Sequence, residues 1–341
     1  MKHALRSALV ATALLPVSLA LAACGDDEGF SDDALVVYSG RQEALVEGIL
    51  ERFEEESGID VEVRYANTAE LAGQLIEEGE RSPADLFFSQ DGGALGALAK
   101  NGQLATLPDN VLNQVDQGYR GRDGNWVGVS GRARVMVYDP EQVSPQEVPD
   151  SVFELTDPEW KGRVGLAPSN ASFEAFVTAM RVLEGEDATQ EWLQGMADND
   201  PQLFDNNILV LEAVNEGQVA VGLINHYYWF EQVAEEGQDA VSARLKFLKN
   251  GDPGALVNVA GVGILESADK PDEALQLTEY LLSTEGQEYF AQETKEYPLV
   301  DGVATAEGVP PLASLDPPDI DLADLDTLEQ TLEMIEEAGL T

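Results

Sequence analysis

Residues 35–65 read LVVYSGRQEALVEGILERFEEESGIDVEVRY, and their periodicity decides the fold class. Leu35 to Tyr38 is a short apolar run rich in β-branched residues, broken by Ser39-Gly40. Leu45, Val46, Ile49, Leu50 and Phe53 then recur at helical spacing, with Glu43, Glu47, Glu51 and Glu54 away from that face. Ser57-Gly58 stops the helix. Ile59, Val61, Val63 and Tyr65 alternate with polar residues, as a strand requires. A second helix is expected over Thr68 to Glu78 and another apolar strand over Asp85 to Ser89. This strand–helix order implies a mostly parallel sheet with helices on its faces.

The pattern repeats further along. Val127 to Val129 and Arg134 to Tyr138 read as two strands, and a second α/β unit begins at Val164 to Leu166. It continues through helices at Phe173 to Glu184 and Gln190 to Met196 and a strand at Val219 to Ile224. Ala260 to Leu265 reads as a strand and Pro271 to Leu282 as a helix. A last helix is expected from Leu322 to Ala338, with Leu325, Leu328, Leu332 and Ile335 on one face. Two such units imply two lobes, and ligands of parallel sheets sit beyond the carboxyl ends of the strands.

The N-terminus has the form of an export signal over residues 1–23: basic Lys2 and Arg6, then a small, apolar stretch from Ala8 to Ala23. Leu21-Ala22-Ala23-Cys24 followed by Gly25 matches a lipoprotein cleavage and lipidation site, so Cys24 is expected to carry a lipid anchor outside the cytoplasm. Residues 24–33 are acidic and small, a tether. Cys24 is the single cysteine, so no intrachain disulfide is available. The formal net charge of -45 excludes nucleic acid as a general partner and reads mostly as a solvated acidic surface.

Common enzyme signatures are missing. Beyond the leader, His226 is the one histidine, too few for an ordinary zinc site and without a nucleophile elbow to serve. Neither a phosphate-binding Gly-Lys-Ser/Thr loop nor a dinucleotide fingerprint follows the first strand.

The strongest local signal is Leu223-Ile224-Asn225-His226-Tyr227-Tyr228-Trp229. Neighbouring tyrosines on a strand face opposite ways, but at a strand-to-helix turn both hydroxyls can aim into one cleft. Two phenolates are hard anionic donors suited to a trivalent cation, which lowers the pKa of its own ligands. Two packing aromatics beside Trp229 explain the same letters.

Across nearly all of residues 35–305 the chain resembles the ferric-ion-binding proteins of bacterial iron importers. The resemblance is carried by Val37-Tyr38-Ser39-Gly40-Arg41, the stretches Leu71 to Gly79 and Arg81 to Asp85, Ser130-Gly131-Arg132-Ala133-Arg134-Val135, Ile224 to Trp229, Asp252 to Leu256 and Glu296-Tyr297-Pro298-Leu299. It implies an α/β, transferrin-like periplasmic-binding-protein fold of type II, each lobe a mostly parallel sheet flanked by helices. The first lobe would take 34–134 with 258–308 and the second 135–257 with 309–341. The resemblance further implies Fe(III) and a synergistic anion, carbonate or phosphate, held between the lobes of a monomer, and delivery to an ABC permease and its ATPase. Tyr227 and Tyr228 match the metal-binding tyrosines; Asn170, Ser172, Asn207 and Asn225 match anion contacts, and Arg41 an arginine aimed at carbonate.

The remaining ligands depart from the pattern. Members with a histidine after the first strand have it where Gln42 stands, those with a glutamate after the third strand have it at Gln90, with Asp91 next, and those with a third tyrosine have it near Phe173. Gln42 reads better as half of a capping box with Ser39 than as a ligand. Asp91 is equally a ligand or a helix cap. Arg132 and Arg134 read as partners of nearby acid, and His226 as a neighbour of the metal. The alternative function is the same fold around an organic solute, such as an aminophosphonate, a polyamine or thiamine; a more distant one is a secreted hydrolase relying on His226.

Overall fold

The computed structural model describes residues 30–341. The leader, Cys24 and most of the expected tether lie outside the described residues. The strands are β1 (Leu35–Ser39), β2 (Val61–Tyr65), β3 (Leu86–Ser89), β4 (Val127–Tyr138), β5 (Val164–Leu166), β6 (Gln202–Leu203), β7 (Val221–Asn225), β8 (Arg244–Lys246), β9 (Val257–Ile264) and β10 (Tyr297–Pro298). The helices are α1 (Glu43–Ser57), α2 (Thr68–Glu78), α3 (Gly92–Lys100), α4 (Asp109–Leu112), α5 (Ala171–Glu184), α6 (Glu186–Asp198), α7 (Asn207–Asn215), α8 (His226–Glu236), α9 (Pro271–Leu282), α10 (Thr284–Gln292) and α11 (Leu328–Glu337).

In the first lobe β1 lies parallel to both β2 and β3, and β9 closes that sheet antiparallel to β3. In the second lobe β5 lies parallel to β6 and β7. The lobes share β4. Its first half, Val127 to Ala133, pairs antiparallel with β9; its second half, Arg134 to Tyr138, pairs antiparallel with β7. The two strands expected at 127–129 and 134–138 are therefore one, because the Ser-Gly-Arg-Ala letters between them are a change of partner and not a turn.

Each lobe has its own core. Val37, Phe87, Leu95, Trp126 and Val259 belong to the first. Both faces of the second sheet are covered: Leu223 packs with Phe173, Phe176 and Trp192 on one side, while its neighbour Ile224 packs with Val135, Ala167 and Trp229 on the other. No helix among the described residues is long and apolar enough to cross a membrane.

The expected helix over Leu322 to Ala338 is broken. Residues 322–326 form a 3₁₀ turn whose Leu322 and Leu325 join the first core, and α11 begins after Thr327 with Met334 and Ile335 in the second. Leu332, expected inside, is 43% exposed. The segment 309–341 thus does not pack as one piece with the second lobe.

Candidate functional site

β7 ends at Asn225 and α8 starts at the next residue, so the tyrosine pair forms the first turn of a helix. Their side chains run together: the ring centroids lie 4.1 Å apart at 32°. Tyr228 lines a cleft of about 580 Å³ between the lobes, beside Arg41, Gln42, Gln90, Asn170, Ser172 and Asn225. Tyr227 packs against it and is buried. Burial, then the phenol of Tyr228, push Tyr227 well above the ordinary phenol value, while Arg132 pulls it down.

His226 turns the other way. Its Nδ1 accepts from the Ala133 amide at 3.2 Å, so Nε2 carries the proton and donates to the Lys295 carbonyl at 3.0 Å. The ring stacks on Tyr297 at 4.5 Å, and burial lowers its pKa to about 3. With both nitrogens occupied, His226 is a neutral brace behind the tyrosines.

The opposite wall of the second lobe is the N-terminus of α5. Asn170 caps it, its Oδ1 accepting from the Ser172 amide at 3.0 Å and the Ser172 hydroxyl at 2.7 Å. Asn207 donates to Asn170 Oδ1 at 3.0 Å and Ser172 Oγ at 2.9 Å, leaving its own Oδ1 buried without a partner. Phe173, at the position where a third tyrosine would stand, is sealed against Phe176 and Trp192.

Strand alternation puts Arg132 and Arg134 of β4 on one face, opposite Asn258 and Asn225 respectively. With Gln90, Asp91 and Ser172 they enclose a hollow of about 20 Å³, room for about one water. Arg134 does not pair with acid as expected. Its guanidinium donates to Ser172 Oγ at 3.0 Å and the Leu223 carbonyl at 3.1 Å and lies over the rings of Phe173 and Phe176. Burial lowers its pKa to about 9, and Tyr228 is the group whose negative charge would restore it. Arg132 donates to the Gln90 carbonyl and stands 3.9 Å from Glu296, its Nε unpartnered. It faces acid, as expected, at the outer limit of an ion pair.

The first-lobe wall is largely paired within itself, with the Nε of Arg41 left without a partner. Arg41, expected to face an anion, donates from Nη2 to both oxygens of Glu296, at 3.0 and 2.8 Å, and from Nη1 to Gln90 Oε1 at 2.7 Å. Both members of the ion pair are fully buried, and Ser130 and Thr294 hydroxyls complete the carboxylate's contacts. The expected capping box fails: Gln42 is itself the exposed residue before α1 and makes no side-chain cap bond, while Ser39 Oγ accepts from the Arg41 amide at 3.2 Å. Asp91 caps α3, its Oδ1 accepting from the Ala94 amide at 2.9 Å, and burial raises its pKa. Sequence reasoning missed two carboxyls. Glu174 rises to about 7 through burial and then Asp91; Glu231 rises to about 8 through burial and then Glu296. Among the described residues no group of three or more His, Cys, Asp or Glu is placed to hold a metal.

Residues 81–324 match the family described as bacterial extracellular solute-binding proteins. The Fe(3+)-binding periplasmic protein of Serratia marcescens is 37% identical over 336 residues, 98% of each chain. The major ferric iron-binding protein of Neisseria gonorrhoeae is 34% identical over the full length of both chains. Iron-bound HitA from Pseudomonas aeruginosa superposes with a TM-score of 0.84 at 35% identity, covering 90% of this chain and 99% of that one. By sequence and by architecture, this chain belongs to the ferric-ion-binding branch of the bacterial extracellular solute-binding proteins.

Proposed function

We propose that the protein captures Fe(III) together with a small anion in the interlobe cleft and delivers it to the permease of an ATP-driven importer. It is a carrier; it binds and releases and catalyses no reaction. The observation that carries this reading is the tyrosine pair, packed side by side in the first turn of α8 with Tyr228 lining the cleft. Carboxylate and imidazole ligands in sufficient number are not assembled among the described residues, so phenolates are the donors that suit a hard trivalent cargo. Arg134 and the amides at the start of α5 offer positive charge and donors to an anion beside the metal. Carbonate suits a guanidinium fork, and phosphate suits a helix N-terminus.

Export follows the leader at residues 1–23, and we assign lipid attachment to Cys24, which would hold the carrier at the membrane beside its permease.

Titrating the protein with ferric citrate is expected to produce a visible phenolate-to-iron charge-transfer band that saturates at one metal per chain. The double variant Tyr227→Phe, Tyr228→Phe is expected to lose the band and all tight ferric binding. Unchanged affinity in that variant would overturn the assignment.

A further inference from the structure

We propose that the C-terminal segment is a clasp that limits how far the cleft opens at one edge, so that solute enters and leaves by the other. It rests on the two-lobe fold and not on the identity of the solute.

The segment crosses between the lobes twice. Asp316 still belongs to the second lobe, accepting from the Asn250 amide at 2.7 Å. Residues 322–326 then lie on α3 of the first lobe. Contact there is backbone to backbone: a Cβ built on Gly93 would meet the Leu325 carbonyl oxygen at 2.5 Å, and one on Gly96 the Ala323 oxygen at 2.5 Å. Lys100 adds an ion pair to Asp326 at 2.8 Å. Immediately afterwards the chain is gripped by the second lobe. Arg181 of α5 donates to the Thr327 carbonyl at 2.9 Å and the Thr331 hydroxyl at 2.9 Å.

The anchors therefore fall on consecutive residues, Asp326 and Thr327. Consecutive Cα atoms stay about 3.8 Å apart, so α3 and α5 cannot part widely at this edge without one anchor tearing free. Leu325 and Leu328 also line a gap of about 250 Å³ between Ala72 and Ala97 of the first lobe and Ala171 and Ala175 of the second, which places the clasp alongside the cleft and not behind the hinge. The side of the cleft towards Gln42 and Tyr228 is lined, among the described residues, by no part of this segment. Opening is accordingly a rotation about β4, β9 and the clasp together, widest at the tyrosines.

Two variants test this. One inserts six Gly/Ser residues after Pro318 and six after Asp326, which leaves every anchor intact and removes the restraint. The other, Gly96→Ala, drives a Cβ against the clasp backbone. Small-angle scattering of the metal-free protein decides the matter, with thermal melting as the check on folding. The clasp predicts a larger radius of gyration for both variants, and release of ferric ion to excess EDTA about tenfold faster, a coupling of ordinary allosteric size. Should Gly96→Ala fail to fold, the slackened variant alone decides. An unchanged radius in the folded slackened variant overturns the proposal. A larger radius in a protein that never takes up iron leaves the clasp standing and removes the ferric reading.

Discussion

The two walls of the cleft are built on different principles. On the first lobe the Arg41 fork is spent on Glu296 and Gln90, and Asp91 caps a helix, with the Nε atoms of Arg41 and Arg132 left over. On the second, Tyr228 faces the cleft, Asn207 keeps a buried oxygen without a partner, and Arg134, on the shared strand, has no carboxylate. A wall whose arginine fork is spent on an internal ion pair can cover a ligand, whereas a wall that keeps a phenol in the cleft can bind one. The contrast assigns holding to the second lobe and lidding to the first.

The largest effect expected on the first wall is structural. Glu296→Ala leaves Arg41 buried and unpaired and should cost about 3–5 kcal/mol in denaturant unfolding. Replacing both partners by apolar residues of similar volume should restore most of that stability. If Glu296→Ala instead abolishes ferric binding at unchanged stability, the first wall is more than a lid. On the second wall Arg134→Ala should weaken the ferric complex by roughly 10–100-fold, the usual cost of removing a group that supports a metal site. Added bicarbonate or phosphate should recover part of the loss, which a purely structural arginine would not show.

The smallest effect is a pH dependence across the interface of the walls. Glu174, raised from the ordinary 4.5 to about 7, keeps a proton in the folded state that the unfolded chain releases. Stability therefore falls as pH rises from about 4.5 to 7 and is level above that. Glu174→Gln should remove this component, so its melting temperature should gain on the parent's across that window and stay parallel beyond it. The gain is small, because the group is part-exposed and screened. A difference that is constant from pH 4.5 to 8 would contradict the burial argument.

Much of this was legible in the letters. Helix α2 falls on the expected Thr68–Glu78 and α9 on Pro271–Leu282, because apolar spacing and terminal signals agree there. The tyrosine turn was readable because a strand pattern gives way to a helical one at Asn225. Residues far apart in sequence were not. Arg41 and Glu296 are separated by 255 positions, and nothing local marks either as the other's counter-charge. Arg134 was expected to find acid in so acidic a chain, but strand alternation directs it onto two phenylalanines. The break at Thr327 was hidden by continuing helical spacing, and only contact with the first lobe explains it.

The central claim is that the two phenols of α8 jointly hold the metal. A crystal of the ferric-loaded protein, measured at the iron absorption edge, locates the ion directly. The account predicts one strong anomalous peak within bonding distance of the hydroxyl oxygens of both Tyr227 and Tyr228, with the anion between it and the start of α5. A peak at Asp91, Glu174 or Glu231 with the phenols unengaged would contradict it.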